Sequence, residues 1–198
     1  MGGSGKLKLR PSAMIGGKTE VSKQATTKKI SKRKKVGATL SEGQKAPKFN
    51  LLDKNGDSHS LEQGTHDFTV LFFYPKDDTP GCTIEAKGFS QDLPKFSKLK
   101  TRLLGISGGD AKSKEKFCRK HDLKTTLLSD PDFEVAKRYE SYGQKSFMGR
   151  KYFGIMRKTF VINSKGILIK IFDTVKPEGH PREVFEFIRR QSSSPNDA

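Results

Sequence analysis

Apolar residues along this chain fall into short blocks with two different periods, and the dense blocks all lie beyond residue 40. Phe68-Thr-Val-Leu-Phe-Phe-Tyr74 is apolar almost throughout, the pattern of a strand covered on both faces, and it predicts a central strand. Ahead of it, Phe49–Gly56 and Asp57–Leu61 read as a hairpin with Asn55-Gly56 in the turn. From about Thr83 to Ser97 the pattern turns helical, with Ile84, Gly88, Phe89, Leu93 and Phe96 offering an apolar face. Arg102–Ser107 is a second strand, and Asp110 is placed to cap a helix over Ala111–His121. Leu127-Leu128 reads as a short apolar link and Asp132–Tyr139 as a further helix. Lys158–Ile162 and Ile167–Phe172 form a second hairpin around Asn163-Ser-Lys-Gly166. A last helix runs from Pro181 to about Arg190, with Val184, Phe185 and Ile188 facing inward. A hairpin, β-α-β-α units, a hairpin and a helix imply an α/β fold with parallel and antiparallel strands in one central sheet flanked by helices.

Composition divides the chain. Residues 1–40 hold eleven Lys/Arg against one acid, Glu20, which is +10 of the total +17 over 198 residues. They contain no Phe or Tyr, so they bury too little to offset ordering entropy and are expected to be a disordered Lys-rich tail. Residues 41–191 carry all fourteen Phe and are expected to form one domain, and residues 192–198 are expected to fray. No apolar run approaches the roughly 20 residues that span a bilayer, so no membrane partner is expected. The first residues lack an apolar stretch of the kind a secretory signal needs. Two cysteines in such a chain fit a reducing compartment, where cysteines are more often catalytic or redox-sensing than structural.

One of the two closes the run Tyr74-Pro-Lys-Asp-Asp-Thr-Pro-Gly-Cys82, between the buried strand and the helix. A thiol on the first turn of a helix meets unpaired backbone N–H groups and the positive end of the dipole, which favour the nucleophilic thiolate. The competing reading is a cysteine packed as a small hydrophobe. Pro80-Gly81 would turn the chain tightly before the thiol, and the Thr79 hydroxyl could bond both the sulfur and a substrate oxygen.

Pro75-x-x-x-Thr79-x-x-Cys82 resembles the P-x-x-x-T-x-x-C signature of peroxiredoxins, and Y-P-K-D-D-T-P-G-C-T is similar to the bacterioferritin-comigratory, or PrxQ, branch. The likeness continues through Leu127-Leu-Ser-Asp130, Lys145-Ser-Phe-Met-Gly149, Gly154 and Arg157-x-Thr-Phe-Val-Ile162, covering about residues 42–190. The resemblance implies a thioredoxin-like fold and a monomeric, cofactor-free, metal-free thiol peroxidase recycled by thioredoxin or another dithiol. It implies that Cys82 attacks hydrogen peroxide or an organic hydroperoxide and becomes a sulfenic acid. Pro75 would shield the site, Thr79 would position the peroxide, and Arg157 would activate the thiol and orient both oxygens. Glu85 falls where it would buttress that arginine, or it is an exposed helix carboxylate. Many members of the branch place a resolving cysteine five residues after the first, but that position here is Lys87. Cys118, thirty-six residues on, resembles the arrangement of a subset that resolves from the next helix; the alternative is a core cysteine in a one-Cys enzyme.

Cys118-Arg-Lys-His121 has C-x-x-H spacing without a second ligand pair, so zinc is not expected. Gly105-Ile-Ser-Gly-Gly-Asp110 matches no phosphate-binding loop and reads as a turn with a helix cap. Lys28, Lys29, Lys32, Arg33, Lys34 and Lys35 put six cations in eight residues, a density that fits nuclear import. Cytoplasm is the alternative, and the Lys-rich composition makes an organellar transit peptide a weaker one. The same run could hold nucleic acid weakly through phosphates, or simply solubilise the protein. A chromatin-associated binding module and a thiol–disulfide exchanger are the rival function classes. Salt-sensitive DNA retention that survives Cys82→Ser would mark the first, and the lack of C-x-x-C speaks against the second.

Overall fold

A computed structural model describes residues 39–62 and 66–193, and the elements there follow the alternation of buried side chains. β1 (Asn50–Asp53) and β2 (Ser58–Ser60) pair antiparallel as the expected hairpin. Their turn is tied by Asp53 Oδ1, which accepts from Asn55 N at 2.8 Å and Asp57 N at 3.0 Å. β3 (Phe68–Phe73) is the central strand, parallel to β4 (Thr101–Ser107) and antiparallel to β8 (Lys158–Asn163). β5 (Thr126–Ser129) runs parallel to β4 and antiparallel to β1, and β9 (Leu168–Phe172) closes the other edge against β8. The sheet order is β2-β1-β5-β4-β3-β8-β9, the mixed sheet of a thioredoxin-like fold.

β3 shows why the run is apolar at almost every position. Val70, Phe72 and Tyr74 join a cluster with Cys82, Ala86 and Phe89 of α1 (Pro80–Lys98), Phe117 and Cys118 of α2 (Ala111–His121), and Val184 and Ile188 of α4 (His180–Ser193). Leu71 and Phe73 face the other way, into a cluster with Phe49, Leu104, Phe160 and, from the α3 region (Glu134–Arg138), Val135 and Ala136. Both cysteines therefore lie on one face of the sheet. Gly105 keeps that face level, because a Cβ there would meet the Phe72 ring at 2.5 Å.

Several expectations need correction. Leu127-Leu128 is not a link but the middle of β5, since four residues suffice when both neighbours supply hydrogen bonds. The first helix begins at Pro80 rather than Thr83, because proline at N1 needs no N–H partner. Ile84 stands 44% exposed while Glu85 is fully buried, so the inner stripe is Cys82, Glu85, Ala86, Phe89 and Phe96. An antiparallel pair, β6 (Tyr142–Phe147) and β7 (Arg150–Ile155), was not anticipated, and its weak alternation explains why. α3 is shorter than expected, and α4 continues helical to Ser193. The expectations for residues 1–38, including Lys28–Lys35, and for residues 194–198 lie outside the described residues.

Candidate active site

β3 ends at a proline, Pro75, after Tyr74 N makes a last hydrogen bond to Ile106 O at 3.1 Å. The chain then turns through Asp78, whose φ of 58° is left-handed, and enters α1 with Thr79 as N-cap. No side chain caps this helix and its first turn holds no acid, so its leading N–H groups stay available to an anion. Cys82 sits in that turn, 2% exposed. Burial alone would suit an inert core thiol; what sets Cys82 apart is a charged partner.

That partner is Arg157, in the two-residue gap between β7 and β8. Its Nη2 donates to Cys82 Sγ at 3.1 Å, and its Nη1 donates to Glu85 Oε2, one turn along α1. One guanidinium thus spans the thiol and a carboxylate through separate donors, a task lysine cannot perform with a single ammonium. Glu85 is the buttress, not an exposed helix carboxylate, and its Oε1 is buried without a partner among the described residues. Burial pushes the Glu85 carboxyl up to about 7, against the opposing charge and hydrogen bond of Arg157.

Glu85 predicts a pH dependence. Its ordinary value is 4.5, so between there and about 7 the folded protein keeps a proton that the unfolded chain has released. Stability therefore falls as pH rises through that window and is level above it, by something on the order of 3 kcal/mol. Urea-unfolding midpoints at pH 5 and pH 8 should converge in Glu85→Gln relative to the parent. Equal falls in the two proteins would sink the assignment.

Thr79 lies beside the thiol in sequence, but its hydroxyl donates to Lys76 O at 3.1 Å rather than to the sulfur. Its oxygen remains able to accept. Pro75 is half-buried at the end of the strand. Lys145 on β6 is a residue that motif reading quoted without a role. Its Nζ donates to Ile155 O at 3.0 Å, and burial and the Arg157 charge hold it below the ordinary lysine range while the Cys82 sulfur opposes them. Only an assigned β6–β7 hairpin would have brought Lys145 toward the site from sequence.

Cys118 is 5% exposed on α2 and in no disulfide. It lines a small cavity with Asp53, Lys54, Leu123 and Thr125, and burial pushes its thiol up, opposed chiefly by Lys54. His121 of the C-x-x-H spacing faces Asp78 at 2.6 Å. Asp110 caps α2 by accepting from Ser113 N at 2.8 Å, which accounts for the glycine-rich turn ahead of it. No helix among the described residues is long and apolar enough to cross a membrane.

The AhpC/TSA family model matches residues 42–171. A putative peroxiredoxin Bcp from Helicobacter pylori is 44% identical over 147 residues, 74% of this chain and 97% of that protein. Peroxiredoxin Bcp of Escherichia coli is 35% identical over 153 residues, 77% of this chain and 98% of that one. Among solved structures, the bacterioferritin comigratory protein of Xanthomonas campestris, described for alkyl peroxide reduction, superposes with a TM-score of 0.69 at 30% identity, covering 73% of this chain and 92% of that chain. A cysteine-to-serine mutant of Xylella fastidiosa PrxQ gives a TM-score of 0.74 at 28% identity, covering 79% of this chain and all of the other.

Proposed function

Because the chain belongs to the AhpC/TSA family, as a peroxiredoxin of the Bcp/PrxQ kind and hence a thiol-dependent peroxidase, we propose that Cys82 is the sulfur that attacks the peroxide. The observation that carries this reading is the Arg157 Nη2 to Cys82 Sγ hydrogen bond at 3.1 Å. A guanidinium N–H aimed at sulfur strengthens as negative charge collects there. Cys82 attacks the terminal oxygen, the O–O bond breaks, and the sulfur becomes a sulfenic acid. The departing alkoxide or hydroxide takes a proton and leaves as alcohol or water. Arg157 steadies the charge that shifts across the two oxygens, and the Thr79 hydroxyl, released from Lys76 O, orients the bound peroxide. Pro75 shields the sulfur from water.

Cys118 resolves the sulfenic acid. Its thiol condenses with Cys82–SOH to give a Cys82–Cys118 disulfide and one water, and a dithiol then reopens the bond by exchange. The family uses a peroxide and a thioredoxin-type reductant, which fits that last step. A disulfide needs the two Cα atoms within about 7 Å. Both thiols are buried, and in this reading the first turn of α1 unwinds to present Cys82 while α2 opens locally to release Cys118. Intact mass and non-reducing peptide mapping after one equivalent of hydrogen peroxide, beside Cys118→Ser, test this. The expected result is a loss of two hydrogens with a Cys82–Cys118 cross-linked peptide. A single added oxygen on Cys82 with Cys118 free would make the protein a one-Cys enzyme.

The catalytic domain in this reading is residues 41–191, acting as a monomer, with residues 1–40 and 192–198 as extensions. The Lys28–Lys35 run lies outside the stretch that the family model matches, and the bacterial relatives give no support to a nuclear destination. Nuclear import and weak phosphate contact rest on its charge density alone, six cations in eight residues. A fluorescent reporter fused to residues 1–40 should concentrate in nuclei and redistribute when those six residues become alanine. A reporter indifferent to them would leave the segment a solubilising extension.

A further inference from the structure

Two adjacent carboxylates, Asp77 and Asp78, take no part in the peroxide chemistry, and they reach opposite ends of one helix. Asp77 Oδ1 accepts from Tyr74 Oη at 2.7 Å, Lys114 Nζ at 3.1 Å and Ser107 Oγ at 3.2 Å. Its Oδ2 accepts from Ser113 Oγ at 2.6 Å and Lys114 Nζ at 3.0 Å. Ser113 and Lys114 belong to the first turn of α2, and Lys114 is fully buried. Gly109 makes room for this knot, because a Cβ there would stand 2.2 Å from Asp77 Oδ2. Asp78, held in its left-handed conformation, points to the other end. Its Oδ2 accepts from Lys120 Nζ at 2.7 Å and its Oδ1 meets His121 Nε2 at 2.6 Å. Cys118 lies between the two grips, one turn beyond Lys114.

We infer that Asp77 with Ser113 and Lys114, and Asp78 with Lys120 and His121, form a two-point latch whose strength sets how fast Cys118 is released to the Cys82 sulfenic acid. The inference deepens the reading of Cys118 as the resolving thiol and rests on it. The loop that grips α2 leads directly into Thr79 and Cys82, so the helix bearing one cysteine is fastened to the segment presenting the other. Unwinding α2 from either end breaks one grip. The inner grip is buried and costly to part, whereas the outer one is solvated and gives way first. While the latch holds, a Cys82 sulfenic acid waits and is open to a second peroxide, which would transfer an oxygen to give the sulfinic acid and leave as alcohol or water. The latch therefore partitions the sulfenic acid between disulfide and over-oxidation. The two loop carboxylates and the four α2 residues are positioning residues, since none touches the reacting atoms.

The test uses the full chain with Lys120→Gln/His121→Gln at the outer grip and Ser113→Ala at the inner one. Rapid mixing with one equivalent or a tenfold excess of hydrogen peroxide, quenching and mass analysis follow the sulfenic acid, disulfide and sulfinic acid separately. Sulfenic acid formation is expected to stay at the parental rate. Disulfide formation should quicken about two- to fivefold in each variant and roughly multiplicatively when they are combined, with a matching fall in sulfinic acid. Val184→Ala, which softens the shared core from α4 and removes no contact of the latch, should leave the disulfide rate unchanged. If the parent forms the disulfide and the latch variants form it no faster, the latch is overturned while Cys118 keeps its role. Equal acceleration by Val184→Ala would also overturn it, as general softening. A parent that forms no Cys82–Cys118 disulfide would overturn the resolving role itself and the latch with it.

Discussion

Cys82→Ser is expected to lower peroxide consumption by about 10⁴-fold or more, the scale on which enzymes lose activity with their nucleophile. Serine is nearly the same size, and the site is 2% exposed, so the fold should survive with the Arg157 hydrogen bond passed to the hydroxyl. What is lost is the chemistry. An alcohol keeps its proton at neutral pH and attacks peroxide oxygen poorly, and it has no stable counterpart of the sulfenic acid. The measurement is peroxide decay under excess reductant, alongside a thermal melt to show the variant folded. Cys118→Ser in the same assay should leave the first turnover intact and slow only the later ones. A folded Cys82→Ser protein with parental activity would end the peroxidase assignment to this thiol.

Arg157 should give the next largest effect. Arg157→Lys is expected to cut kcat/KM about 10²- to 10³-fold, the usual loss when one aimed donor is withdrawn from developing charge. The reason is geometric. Nη1 holds Glu85 and Nη2 holds the sulfur, and one ammonium satisfies only one of them. Arg157→Met should be worse for stability, because it leaves the fully buried Glu85 with no opposite charge. Arg157→Met/Glu85→Gln should recover much of that stability and none of the activity. Recovery of both would mean that Arg157 serves the fold and not the sulfur.

Much of this was legible in one dimension. Period and turn chemistry determined the hairpin around Asn55-Gly56, the buried strand at 68–73, the Asp110 cap and the inward face of Val184 and Ile188, because each depends on neighbours a few residues away. The apolar run before Cys82 and the helical pattern after it likewise placed a thiol on a first helical turn. Partners far apart in the chain were another matter. Glu85 sits on a helix and is separated from Arg157 by 72 positions, and no local pattern says that this carboxylate turns inward while Ile84 next to it turns out. β5 was missed because a four-residue segment with only two leucines acquires strand character from β1 and β4 on either side. Asp77 and Asp78 have no local pattern that names their partners, yet they meet α2 from 37 and 43 positions away. The sequence by itself determined the local elements that present Cys82, the buried strand before it and the helix that carries it. Only the tertiary structure decided which charges meet, since packing the helices against the central sheet brings distant side chains within hydrogen-bond reach.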